Sequence, residues 1–272
     1  MLGLNPSRVD KMRIIALSNQ KGGVGKTTTS VNLGAYLAKA GNRVCVLDID
    51  PQANATSNFG FEPGDFPSIY DPLVGRCDIQ DLPQPTRYPN LSLIPSSMDL
   101  AGVEVELART DDHLVRLRTI LHNYRSVAPF DFMLVDCPPS LGINMTSALA
   151  AVDEILIPVQ CEYFAIEGLA KMIELIDELK QSGANPGLYI EGVVMTMADS
   201  RTKLTEDVIN QVRGRLAEMC YETVIPRNVK LSEAPSHQMA ISEYAPSSPG
   251  AKGYSAFCDE FIHRHAPIAA VA

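Results

Sequence analysis

The stretch Lys21-Gly22-Gly23-Val24-Gly25-Lys26-Thr27-Thr28 constrains this chain more than any other, because it lies between the apolar run Ile14-Ile15-Ala16-Leu17 and a segment with helical patterning. A strand, a glycine-rich loop and a helix in that order are the context of a phosphate-binding loop. Glycines let the backbone approach an anion closely, so that its N–H groups face phosphate oxygens, and the positive end of the following helix adds to the attraction. Lys26 would neutralise the outer phosphates and Thr27 would hold Mg²⁺. A plain strand-to-helix turn also uses glycine, but it gives no reason for a lysine and two threonines in register behind the loop. Two positions depart from the ordinary pattern: Gln20 stands where the first glycine belongs, and an extra lysine, Lys21, follows it.

Around the loop, short β-rich apolar runs alternate with longer helix-patterned segments. The alternation predicts an α/β fold, a single doubly wound, mostly parallel sheet with helices on both faces. Strands are predicted at 13–18, 43–48, 91–95, 132–136, 154–158, 191–197 and 223–225, and helices at 26–40, 111–126, 166–181 and 204–220. In the last helix Leu204, Val208, Val212, Leu216 and Cys220 recur every four residues, a stripe that would face the sheet and leave Arg213 and Arg215 outside it. The Pro, Gly and Asp-rich segment 59–89 reads as loop with little regular structure. A chain of 272 residues with 46% hydrophobic content can bury one large core, so one domain at 13–265 is expected between an extension, 1–12, and a tail, 266–272. Ligands of open parallel sheets gather at the carboxyl ends of strands, where the glycine loop, Asp48, Asp50 and Asp136 all fall.

The run Asn19-Gln20-Lys21-Gly22-Gly23-Val24-Gly25-Lys26-Thr27-Thr28 resembles the deviant P-loop of the ParA/MinD ATPases. Val44 to Thr56, with Asp48-Ile49-Asp50-Pro51-Gln52 at its centre, is similar to that family's second phosphate-side motif, and Phe132 to Ser140 to its Mg²⁺-side strand and switch. Val224 to Ser236 resembles the signature of the chromosome-partitioning, Soj-type ParA proteins. The resemblance spans about Arg13 to Tyr254 and implies a deviant P-loop NTPase that uses ATP and Mg²⁺. It places nucleotide contacts on 21–28, metal-side roles on Thr27, Asp50 and Asp136, and orientation of the attacking water on Asp50, with Asp48 as the competing carboxylate. Lys21 would reach across a two-fold interface to the phosphates of a partner's ATP, joining Lys26 in the catalytic set, with Gly22 at the close approach of the two chains. Adenine contacts would come from Pro226, Asn228 and Met197.

Composition opposes one implied partner. The net charge of −9 repels a polyanion on average, yet residues 201–230 carry +2 against −11 for the rest. The resemblance implies that Arg201 and Lys230 touch the DNA backbone; Arg227, in the same basic segment, is a third candidate. With no base-reading module, binding of double-stranded DNA is expected to be sequence-independent and steeply salt-dependent. Twelve residues precede the first predicted strand, too few for the helix-turn-helix domain of larger plasmid ParA proteins. The family further implies an ATP-bound homodimer, a ParB-type centromere-binding partner that stimulates a slow hydrolysis, and a cytoplasmic, nucleoid-associated location for a chromosome or plasmid switch. A ParA-like ATPase positioning another cargo fits the same motifs.

Other classes fit less well. A MinD-like membrane switch needs a basic amphipathic C-terminal helix, whereas 261–272 contains Pro267 and a single arginine, Arg264. No membrane partner is therefore predicted. Six cysteines with no C-x-x-C pair point to a reducing compartment and lack the spacing of an iron–sulfur carrier. His263 and His265 form the one close histidine pair without a third ligand, so no structural metal is predicted. An ATP-dependent carboligase on the same core would be indifferent to DNA.

Overall fold

The computed structural model describes residues 12–107 and 113–265. The chain enters as a central strand, β1 (Arg13–Leu17), and passes through the glycine loop into α1 (Lys26–Lys39). It continues through β2 (Val44–Asp48), α2 (Asn54–Asn58), α3 (Tyr70–Leu73), β3 (Gln84–Pro85), β4 (Leu91–Ile94), α4 (Leu100–Leu107), α5 (His113–Arg125) and β5 (Phe132–Asp136). The second half runs α6 (Ile143–Ala151), β6 (Glu154–Gln160), α7 (Ala165–Gln181), β7 (Tyr189–Ala198), α8 (Lys203–Leu216) and β8 (Cys220–Pro226). Three further helices, α9 (Val229–Glu233), α10 (Ile241–Tyr244) and α11 (Pro249–His265), follow.

The eight strands lie in the order β3-β4-β2-β5-β1-β6-β7-β8, and every pairing is parallel except β3 with β4. From β1 the chain winds outward first to one side and then to the other. The loop after β1 therefore opens at the point where the winding reverses, the place such sheets bind ligands.

Alternate residues of β1 supply the two halves of the core, which explains its unbroken apolar run. Ile14 and Ala16 join the layer formed with α5, α6, α7 and α8, whereas Ile15 and Leu17 join the layer formed with α1 and α11. Tyr254, Phe257 and Phe261 of α11 are almost fully buried there. Each such ring removed from water contributes about 1.5–3 kcal/mol, so α11 fastens the face of the sheet that carries the phosphate-loop helix. No helix among the described residues is long and apolar enough to cross a membrane.

The sheet class, its parallel sense and the two covered faces agree with the sequence patterning. Two expectations, the extent of the helix at 204–220 and the set of helices, need correction. The helix predicted over 204–220 ends at Leu216, and Cys220 opens β8 instead. The four-residue period survives the change because the carbonyl of Met219 accepts from Val193 N (2.9 Å), drawing the chain into the ladder and keeping Cys220 buried. Leu204, at the head of the stripe, is exposed. The segment 59–89 holds α3, a one-turn 3₁₀ helix at Ile79–Asp81 and the edge strand β3, anchored by buried Ile69, Leu73, Ile79 and Leu82. Helices α4, α6 and α11 lie outside the elements that the patterning predicts. The predicted helix start at 111 and the tail 266–272 fall outside the described residues, as does the extension up to residue 11.

Candidate nucleotide site

The loop between β1 and α1 is held by its neighbours before any ligand arrives. Asn19 Nδ2 donates to the carbonyl of Pro158 (2.8 Å) while Asn19 Oδ1 accepts from Lys21 N (3.0 Å). Gly23 and Gly25 have φ of 73° and 91°, left-handed values that a side chain disfavours, and Gly25 caps α1. The backbone thus turns so that α1 begins at Lys26 with its first N–H groups unpaired inside the helix, the arrangement that attracts an anion.

Behind the loop stand the predicted charged groups. Thr27 Oγ1 donates to Asp136 Oδ2 (2.7 Å), and Ser30 Oγ donates to the other oxygen (2.8 Å). Lys26 is buried with its ammonium on the carbonyl of Lys21 (3.3 Å). Burial lowers its pKa, against the opposing pull of Asp136. Burial also pushes the Asp136 carboxyl up, though the hydroxyls of Thr27 and Ser30 favour its charged form. Asp48, opposite Asp136 in the sheet register, is raised by burial and then by the charge of Asp136.

The two competing aspartates have distinct settings. Asp48 accepts from the backbone of Asp50 (3.1 Å) and from both N (2.8 Å) and Oγ1 (2.8 Å) of Thr56, so its oxygens are committed to shaping the turn after β2. Asp50 is buried near Lys26 and Asp136, and its Oδ1 accepts from Gln52 N (3.0 Å). Asp50 therefore keeps more acceptor capacity for a water or metal-bound ligand than Asp48 does.

Lys21 points elsewhere. Its ammonium meets Glu162 Oε2 (2.6 Å), whose second oxygen accepts from Gln160 Nε2 (2.5 Å). A Cβ added at Gly22 would meet Pro139 at 3.8 Å, an ordinary contact. Next to Glu162, Tyr163 and Phe164 stack edge to face with ring centroids 5.1 Å apart and are 76% and 62% exposed.

On the far side of the loop, Met197 adopts φ 52° at the irregular end of β7, and its Cε would lie 3.9 Å from a Cβ at Gly25. Pro226 and Asn228 pack under α11, and Asn228 Oδ1 is buried without a hydrogen-bond partner. The predicted DNA residues are each attached to an acid or the backbone: Arg201 grips Asp199 through Nε (2.8 Å) and Nη2 (2.7 Å), Lys230 pairs with Glu233 (2.7 Å), and exposed Arg227 donates its N–H to Ala198 (2.9 Å).

Residues 12–190 match the family described as an AAA domain. The chain is 50% identical over 243 residues, 89% of its length and 95% of the relative's, to the sporulation initiation inhibitor protein Soj of Bacillus subtilis. The chain belongs to the ParA/Soj family of P-loop ATPases. A second relative of this ParA/Soj chain is the chromosome partitioning protein ParA of Myxococcus xanthus, 45% identical over 94% of this chain and 89% of the relative. Its fold is also similar to the crystal structure of cobyrinic acid a,c-diamide synthase from Mycobacterium smegmatis with bound ADP and magnesium, at 32% identity and a TM-score of 0.78, covering 93% of this chain and 95% of that one.

The structure gathers Lys26, Thr27, Asp50 and Asp136 at one place, as the motifs predict, and puts Met197 against the loop. Several residues of this ParA/Soj site carry no sequence motif of their own. Ser30 was legible in principle, three residues after Thr27 on the same helix face. Glu162 and Thr196 are long-range partners with no periodic trace.

Proposed function

We propose that this chain is an ATP-driven DNA-partitioning switch built as one ATPase domain over residues 13–265. The observation that carries the nucleotide half is the 2.7 Å bond from Thr27 Oγ1 to Asp136 beside the buried ammonium of Lys26. An all-oxygen set at Thr27, Asp136 and Asp50 suits Mg²⁺, a hard cation. Magnesium, when bound, neutralises charge on the phosphate oxygens. The partnerless acceptor of Asn228 suits the amino group of adenine, with Pro226 and Met197 as the apolar sides of the base site.

The chain's own groups do the rest. Loop N–H groups of 22–28 bind the phosphates, and Lys26, already stripped of water, gains a partner stronger than a carbonyl. Asp50 holds and orients the attacking water. Lys21 exchanges Glu162 for the phosphates bound by a second copy, which links ATP binding to dimer formation. A dimer doubles the basic set of Arg201, Arg227 and Lys230, so weak backbone attraction to double-stranded DNA becomes effective binding. A ParB-type partner then speeds hydrolysis, the dimer separates, and the chain leaves the nucleoid for the cytoplasm.

Binding of non-specific duplex DNA by wild type and Asp50→Ala, with ATP, ADP or no nucleotide at two salt concentrations, tests this. Tight, salt-sensitive binding only with ATP, retained in Asp50→Ala while hydrolysis drops about 100-fold or more, is the expected result. A chain that hydrolyses ATP and ignores DNA in every state would belong instead with small-molecule ligases or amidases on this core.

A further inference from the structure

Thr196 sits in β7, is buried, and sends its hydroxyl to the carbonyl of Val24 at 2.8 Å, across 172 residues of sequence. Val24 lies between Gly23 and Gly25, the two left-handed residues of the loop. The carbonyl of Val24 and the N–H of Gly25 belong to one planar trans peptide and so point in opposite directions. A bond that turns the carbonyl outward to β7 therefore turns the Gly25 N–H toward the hollow of the loop. Without it, the same peptide is free to present an oxygen to a phosphate, which repels.

The strand end is built to hold this hydroxyl in place. Thr196 O accepts from Cys161 N (3.1 Å), and Ala198 O accepts from Arg227 N (2.9 Å). Between them Met197 is kept at φ 52°, a conformation that costs a non-glycine residue energy and persists where its surroundings over-determine it. Thr196 Cγ2 also lies 3.9 Å from a Cβ position at Gly25, so the methyl packs on the loop that the hydroxyl holds.

We infer that Thr196 is a positioning residue for the phosphate loop, acting through the Val24 carbonyl to aim the Gly25 N–H at the bound phosphates. The inference rests on the nucleotide-site reading above. Because the hydroxyl acts on the cradle itself, ADP and ATP lose affinity alike when it is removed, and turnover at saturating ATP stays near wild type. A residue that merely stabilised the fold would not produce that split.

The test is equilibrium binding of ADP, with and without Mg²⁺, to wild type, Thr196→Val and Thr196→Ser, together with kcat at saturating ATP. Thr196→Val is expected to weaken ADP binding about ten-fold, the scale of one lost hydrogen bond that leaves a carbonyl unpaired. Thr196→Ser restores binding to within about three-fold, and kcat in both stays within about two-fold. Unchanged ADP binding in Thr196→Val overturns the inference, as does an equal loss in Thr196→Ser, which would make the methyl the agent. If Thr196→Val does not fold, Thr196→Ala against Thr196→Ser makes the same comparison. A wild type that binds no nucleotide overturns the site reading and this inference together; a wild type that binds as well as Thr196→Val overturns this inference alone.

Discussion

The two lysines of the phosphate loop occupy contrasting regions. Lys26 lies in the floor of the site, buried among Asp136, Thr27 and Ser30, where nearly every polar atom has a partner within the chain. Lys21 lies on the rim, about one-third exposed and tied to a half-exposed Glu162, with uncovered Leu141, Tyr163 and Phe164 in the loops at the carboxyl ends of β5 and β6. The floor is complete in one copy of the chain. Exposed ion pairs are weak and easily exchanged, so the rim's charges are free to change partner, and Arg201 with Asp199 and Lys230 with Glu233 are held in the same way. Burial fixes the geometry of the floor, and water at the rim makes a change of partner cheap.

Altering the floor should have the largest effect. Lys26→Ala removes the buried ammonium of the glycine loop, and ATPase activity is expected to fall about 100-fold or more, with nucleotide binding weakened in a titration. Retained turnover would mean that Lys21 can serve both positions. On the rim, Gly22→Val should leave ADP binding within a few-fold, because a Cβ at this position meets only Pro139, at an ordinary contact distance, in the single chain. The same variant should lose the ATP-dependent dimer in sedimentation, and a normal dimer would show that the rim is not where two copies meet.

Smaller effects follow for the outer charges. Lys230→Ala should weaken all duplex sequences alike, by a few-fold for each copy, and lower the salt slope by about 1 per copy; loss confined to certain sequences would contradict backbone contact. Glu162→Gln keeps the side-chain shape but releases Lys21, so the ATP-bound dimer should tighten by a few-fold, the scale of an exposed ion pair. A looser dimer would instead assign Glu162 to the interface, and so blur the contrast between floor and rim.

Much of the floor is legible in the sequence. The glycine loop is a local pattern, since the backbone angles of Gly23 and Gly25 and the helix start at Lys26 depend on neighbours in sequence. The preference for Asp50 over Asp48 comes from the family resemblance and from the position of Asp48 nearer the buried strand; the structure adds that Thr56 and the turn backbone take up Asp48, contacts with no trace in the spacing. The stripe extended from Leu216 to Cys220 misled because a strand entering the same buried layer continues the apolar spacing of the helix before it. Helix α11 carries its large apolar groups at 254, 257, 258 and 261, a helical spacing, but behind the turn-like Ser247-Ser248-Pro249-Gly250.

By itself the sequence determined the parallel α/β class and the phosphate loop with its lysine and threonine. Strands covered on both faces must be apolar throughout, and a loop that cradles an anion needs glycine at set intervals, so both leave a local record. Tertiary structure alone decided that Lys21 rests on Glu162, 141 residues away, and that Thr196 steadies Val24, 172 residues away. A hydrogen bond between distant residues depends on which strands become neighbours, and two single side chains meeting in space leave no period or spacing in the chain to read.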